Sequence, residues 1–303
     1  MKHPYVTADI FTDRIFGGNP LAVFPDARGL DGAGMQAIAR EFNLSETVFI
    51  LPPENPAHTR RLRIFTPAAE IPFAGHPTVG AAFVLASSGE VPLADGEARI
   101  LFEEGVGEVP VLVRARAGRP LFCQLTAAKL PEVGPRPPGR AAIAEMLSLE
   151  LKDILGGAMA PEAVSAGLPF LFVAVKDRDA VARARVRLDL WATTLSKFWA
   201  PQVMVFSRDP ELPGSHIRAR CFVPGLAVPE DPATGSACAA LGGYLGAREG
   251  GPDDTLAWRI EQGFEMGRPS IIELEVDKRA GAVAAIRVGG ESVLVSAGEM
   301  EVG

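Results

Sequence analysis

A cationic block, a long apolar run and a cysteine framework are all missing from this 303-residue chain, and each absence closes off a class of function. With 30 Lys and Arg against 37 Asp and Glu, the net charge is −7, so nucleic acid is not expected as a partner. No stretch of about 18 uninterrupted apolar residues occurs, and no membrane partner or span is expected. Met1-Lys2-His3-Pro4-Tyr5 runs straight into a strand-like pattern with no secretory apolar segment. Cys123, Cys221 and Cys238 are odd in number and lack metal-like spacing. They fit reduced thiols in a cytoplasmic protein better than a disulfide framework. The four histidines are scattered, with no His-x-x-x-His, and no Cys-x-x-Cys is present, so no metal is expected. Also missing are a Gly-x-x-x-x-Gly-Lys-Ser/Thr loop, a strand-linked Gly-x-Gly-x-x-Gly and a Gly-x-Ser-x-Gly elbow. Nucleotide, nicotinamide and serine-hydrolase chemistry lose their main support. Cofactor-free proton transfer on a small molecule remains.

What is present is a soluble-protein composition, 48% hydrophobic and 22% charged, over a length comfortable for two domains. Lys129 to Arg140, KLPEVGPRPPGR, holds four prolines and two glycines. Such a segment neither propagates a helix nor sits centrally in a sheet, which marks a domain boundary. The two sides resemble each other. Asn19-Pro20-Leu21-Ala22-Val23-Phe24 matches Leu168-Pro169-Phe170-Leu171-Phe172-Val173, and Ile64-Phe65-Thr66-Pro67 matches Cys221-Phe222-Val223-Pro224. Gly75-His76-Pro77-Thr78-Val79-Gly80 matches Glu230-Asp231-Pro232-Ala233-Thr234-Gly235, each with a polar residue before Pro-x-x-Gly. From Pro20 to Pro77 is 57 residues and from Pro169 to Pro232 is 63, so a whole small domain is repeated. Proline suits the first helical position, so His76 and Asp231 are each expected at a helix N-terminus, where anions are attracted.

Local patterns predict a helix capped by Asp31 and running to Phe42, and strands over Glu46–Leu51, Arg61–Phe65, Ala98–Phe102 and Val109–Arg114. Beyond the boundary they predict helices over Asp189–Trp199 and Ala233–Ala247 and a strand over Val203–Phe206. Short strands follow over Ile271–Val276, Val283–Val288 and Ser292–Ser296. Many short strands with two small-residue helices imply α+β architecture: two tandem domains, each a sheet around a central helix. The expected limits are 1–128 and 129–279, with strands of about 280–303 free to complete the first domain.

Several side chains are candidates for chemistry, each with a plainer alternative. By alternation Glu46 shares a strand face with Val48 and Ile50. It is either a solvated strand-end carboxylate or a semi-buried acid/base, whose burial would raise its pKa. His76 and Asp231 are either ligand-binding residues or helix caps, and aspartate is much the better cap. Ser236 either holds a carboxylate or eases helix packing, and Asn19 either donates to a ligand or shapes a turn. Arg268 binds an acidic group or supports its loop.

Five segments together resemble the phenazine biosynthesis PhzF-like family: DIFTDRIFGGNPLAVF (9–24), NLSETVFI (43–50), FTPAAEIPFAGHPTVGAA (65–82), DPATGSACAALGGYL (231–245) and EQGFEMGRPS (261–270). They fall in the family's order and span nearly the whole chain. The resemblance implies a diaminopimelate-epimerase-like fold, in which each domain is a curled, mostly antiparallel sheet and the site lies in the cleft. It implies a homodimeric isomerase with no cofactor, acting on a small carboxylate-bearing metabolite. Carried over by motif, Glu46 matches the acid/base glutamate, and His76 and Asp231 the polar residues flanking substrate. Gly75, Gly235 and Ser236 match its binding turns, with Asn19 as a secondary candidate. Racemases of the wider fold use two thiols at these helix starts. Here Ala74 and Pro232-Ala233 stand in that neighbourhood, so a two-cysteine racemase is disfavoured, while a carboxylate-based epimerase or an idle binding protein stays open.

Overall fold

The computed structural model describes residues 2–117, 121–226 and 228–302. The chain divides into two compact units, Met1–Ala128 with Val288–Gly303, and Lys129–Arg287. The first contains strands β1 (Lys2–Ile10) and β2 (Asn19–Phe24), helix α1 (Gly32–Phe42), and strands β3 (Glu46–Leu51), β4 (Arg60–Phe65) and β5 (Glu70–Ile71). Helix α2 (Gly75–Ser87) and strands β6 (Glu97–Glu104), β7 (Gly107–Arg114) and β8 (Phe122–Thr126) follow. The second unit opens with β9 (Glu132–Val133), α3 (Arg140–Met146), β10 (Glu162–Ser165), β11 (Pro169–Ala174), α4 (Arg178–Arg183) and α5 (Leu188–Thr194). It continues with β12 (Gln202–Ser207), β13 (Ile217–Val223), β14 (Val228–Asp231), α6 (Gly235–Gly246), β15 (Asp254–Gln262) and β16 (Ser270–Arg279). The last strand, β17 (Ala282–Glu301), supplies residues to both units and pairs antiparallel with β1 from Ser292 to Glu301.

In the first unit α2 packs against β1, β2, β3, β7 and β8, and every residue from Gly75 to Leu85 is buried. Small and apolar side chains on all faces make this possible, since a helix that is apolar all round has no solvent side. Helix α1 takes the opposite face of β3. Its apolar stripe, Met35, Ile38 and Ala39, packs with Phe24, Phe49 and Phe65. Asp31 caps it, accepting from Gly34 N at 2.8 Å. Strand β3 is thus covered on both faces, which explains its near-continuous apolar run. In the second unit α6 is buried from Gly235 to Gly246 and packs on β10, β11 and β16, while α4 packs on β12 and β13.

The strand registers match as well. β2 pairs parallel with β3 and β11 parallel with β12, placing Leu21 opposite Glu46 and Phe170 opposite Gln202. Glu46 and Gln202 are therefore counterparts. The Pro-x-x-Gly matching needs correction at the helices. β5 ends at Ile71 and α2 begins at Gly75; β14 ends at Asp231 and α6 begins at Gly235. The counterpart of Gly75 is Gly235, that of His76 is Ser236, and that of Asp231 is Ile71. Pro77 lies inside the first turn of α2, whereas Pro232 lies three residues ahead of α6. Asp231 therefore ends a strand and does not stand at the helix N-terminus.

Three further boundaries differ from the local patterns. The helix expected to reach Trp199 stops at Thr194, and the Trp199 ring fills space against Gly134, where a Cβ would come within 2.3 Å. The strands expected over Val283–Val288 and Ser292–Ser296 are one continuous strand, β17. The proline-rich boundary segment contains β9, which pairs with β10 through Val133 and Val164.

Candidate active site

In the first unit, the start of α2 faces the ends of two strands. Asn19 opens β2 and Glu46 opens β3, so the parallel pairing brings both to the same edge. His76 is the second residue of α2, and Ala74, not His76, occupies the cap position. His76 Nδ1 lies 3.2 Å from Asn19 Nδ2, and His76 Nε2 lies 3.6 Å from Glu46 Oε2. His76 and Asn19 are buried, whereas Glu46 keeps 13% of its side chain exposed.

Burial sets the charge state of this group. Loss of hydration holds the His76 pKa down at about 3, so the ring is neutral at ordinary pH and its contact with Glu46 is not an ion pair. With the amide nitrogen of Asn19 donating to Nδ1, the ring's single proton sits on Nε2, the nitrogen that faces Glu46. A neutral N–H donor beside a half-buried carboxylate can orient that carboxylate or polarise a bound group without competing for the proton.

In the second unit the Asp231 turn is fastened from several sides. Thr234 Oγ1 donates to Asp231 Oδ2 at 2.6 Å. The buried Gln262 side chain donates to Asp231 O at 2.8 Å and Thr234 Oγ1 at 2.9 Å, and accepts from Thr234 N at 3.1 Å. Ser270 Oγ bonds Pro232 O at 3.0 Å. Thr234 holds the cap position of α6 and makes no side-chain cap bond. Neither His76 nor Asp231 therefore serves as a helix cap. Gly235 and Ser236 form the buried first turn of α6, where N–H groups have no intrahelical acceptor. Arg268 follows Gly267 in the tight turn between β15 and β16, and Arg268 N donates to Gly263 O at 3.0 Å.

Sequence reasoning passed over Thr78, Glu104, Thr234 and Gln262. Each acts through a contact with a residue distant in sequence or through a buried turn, and none disturbs helix or strand periodicity. Only Gln262, directly before a glycine-bracketed turn, offered a hint.

The three thiols lie in the interior, and Cys221, opposite Asp231 across the strand pair, is beside Asp231 and Thr234. Cys123 is on β8, Cys221 on β13 and Cys238 within α6, and all are buried. Burial pushes each thiol above its ordinary range, which suppresses the nucleophilic thiolate. Iodoacetamide at pH 8 is expected to leave the native chain unmodified by intact mass and to add three groups after denaturation. Rapid labelling of the folded protein would contradict this placement.

Across residues 8–298 the sequence matches the family model for phenazine biosynthesis-like proteins. The chain belongs to the PhzF family. It is an isomerase. An uncharacterized isomerase of Mesorhizobium japonicum is 42% identical over 299 residues, covering 98% of each chain. The trans-2,3-dihydro-3-hydroxyanthranilate isomerase of Pseudomonas aeruginosa is 34% identical over 299 residues, again covering 98% of each. Among solved structures, a PhzF-family protein of Bacillus anthracis superposes with a TM-score of 0.89 over the full length of both chains, at 24% identity, which speaks to the fold. Among the described residues of this PhzF-family isomerase, no helix is long and apolar enough to cross a membrane.

Proposed function

We propose that this PhzF-family isomerase, without a cofactor, moves a proton between two carbons of a small carboxylate-bearing metabolite. Glu46 is the acid/base. The observation that carries this reading is the placement of a half-buried Glu46 carboxylate beside a neutral His76 whose Nε2–H faces it. Glu46 accepts the proton as the C–H bond breaks, the electron pair shifts along the conjugated system, and the Glu46 carboxyl, after exchanging with solvent, delivers a proton to a different carbon. Atoms balance with no outside reagent. His76 orients the carboxylate or a substrate heteroatom, and Asn19 holds the His76 tautomer. Gly75 gives backbone access at the start of α2. Asp231, Gly235 and Ser236 are the proposed substrate-binding residues of the second unit, where Asp231 meets amino or hydroxyl groups and the α6 N-terminus a carboxylate.

The compound named for the Pseudomonas aeruginosa relative, trans-2,3-dihydro-3-hydroxyanthranilate, is the first to test. A panel of cyclic and unsaturated amino and hydroxy acids should accompany it in deuterated water. The expected result is deuterium at one carbon together with movement of a double bond, without added cofactor. Deuterium appearing with inversion at a single carbon and no bond migration would replace this reading with an epimerase.

A further inference from the structure

Glu104, the last residue of β6, is a buried carboxyl that the proposed chemistry does not use. Its Oε1 lies 2.6 Å from Thr78 Oγ1, in the first turns of α2. Thr78 Oγ1 also lies 2.8 Å from Ala74 O, the carbonyl one helical turn back. A threonine hydroxyl has one hydrogen, and a carbonyl oxygen can only accept. Both short contacts are hydrogen bonds only when the hydroxyl donates to Ala74 O and Glu104 supplies the other proton. The second oxygen, Glu104 Oε2, is buried and has no hydrogen-bond partner, a costly position for an ionised carboxylate and a tolerable one for a neutral acid.

The surroundings favour the neutral form too. Glu104 borders a cavity of about 490 Å³. The charged groups on the same wall are paired among themselves: Arg61 with Glu54, Arg63 with Glu70, and His58 with Glu103 and Glu108. On α2, the only titratable group near Thr78 is His76, which is neutral. Among the described residues of this wall and of α2, no cation is left to balance a charge on Glu104. Burial accordingly pushes this carboxyl up to about 8.

We infer that Glu104 is a protonated positioning residue: its O–H donates to Thr78 Oγ1, ties the start of α2 to β6, and fixes the turn that carries His76. The functional weight of this tie rests on the proposed role of the Glu46–His76 pair, but its test needs no substrate. Urea unfolding of the wild type and of Glu104→Gln, whose amide donates the same bond without titrating, is compared from pH 5 to 9. The folded carboxyl has its pKa raised from about 4.5 to about 8. Its stabilisation is therefore complete below the lower value and lost as pH rises toward the upper one. Relative to Glu104→Gln, the wild-type unfolding constant should grow about tenfold per pH unit across that window and then level off.

A second readout is ¹⁵N NMR of the His76 ring, assigned through His76→Asn. Its signals should shift with a midpoint near 8 in the wild type and stay fixed in Glu104→Gln. Parallel stability curves, or a His76 ring indifferent to pH in both proteins, would overturn the inference. Failure to find turnover would count against the proposed function alone, since neither measurement involves substrate.

Discussion

Glu46→Gln is expected to leave the fold in place and to lower turnover by about two to four orders of magnitude, the span general acid–base groups contribute. The side chain keeps its length and its place opposite Leu21 in the β2–β3 register. What it loses is the ability to accept and return a proton. The neutral His76 ring cannot take over, because burial holds its pKa at about 3 and leaves it a poor base. Asp231 is already engaged, since its carboxylate accepts the Thr234 hydroxyl. The measurement is deuterium exchange into substrate followed by NMR, with circular dichroism and thermal unfolding confirming an intact chain. A folded Glu46→Gln protein exchanging at the wild-type rate would remove Glu46 from the mechanism.

Gly263→Ala should be strongly destabilising. Gly263 has φ +76, and a Cβ there would lie 2.4 Å from Arg268 O and 2.5 Å from Pro232 O. The left-handed conformation alone costs an L-residue about 1–2 kcal/mol. Overpacking adds about 1–3 kcal/mol, and here the obstructing atoms are backbone, which cannot rotate aside. For a unit of this size, a loss of about 3 kcal/mol lowers the unfolding midpoint by roughly 6–12 °C. Because Pro232 directly follows Asp231, the same displacement should also weaken substrate binding. Gly267→Ala is the matched control: its φ is +70, but a Cβ there meets nothing within 4 Å. It should show the conformational cost without the clash. Equal midpoints for the two variants would mean that the close approach to Pro232 and Arg268 has no energetic consequence.

Local signals made part of the architecture legible. Asp31 announces α1 because a carboxylate before a periodic apolar run satisfies a free N–H, and Asp31 does accept from Gly34 N. Glu46–Leu51 was readable to the residue because β-branched and aromatic side chains follow the Asn43 turn. The five motif segments identify the family, since a fixed order over nearly 300 residues does not depend on how each piece folds.

Other features depend on partners far along the chain. Gly289 and Gly290 look like an interruption between two strands, yet β17 runs through them. At Gly289 a Cβ would come within 2.7 Å of Cys123 O, so the glycine admits a close backbone neighbour. The Pro-x-x-Gly repeat misaligned the two halves for a related reason. Proline fits the first turn of a helix as well as an extended approach to one, so the motif leaves helix register undetermined. The strand pairs Ile64–Ile71 and Cys221–Asp231 set it instead.

The sequence by itself determined the family, the isomerase class and the identity of Glu46, His76 and Asp231 as candidates, because residue type and order carry that information. Tertiary structure decided that His76 is neutral, that Ser236 and not Asp231 is its counterpart, and that Thr234 and Gln262 hold Asp231 in place. Those properties arise from burial and from hydrogen bonds across strands, and neither burial nor a distant partner is written in local spacing.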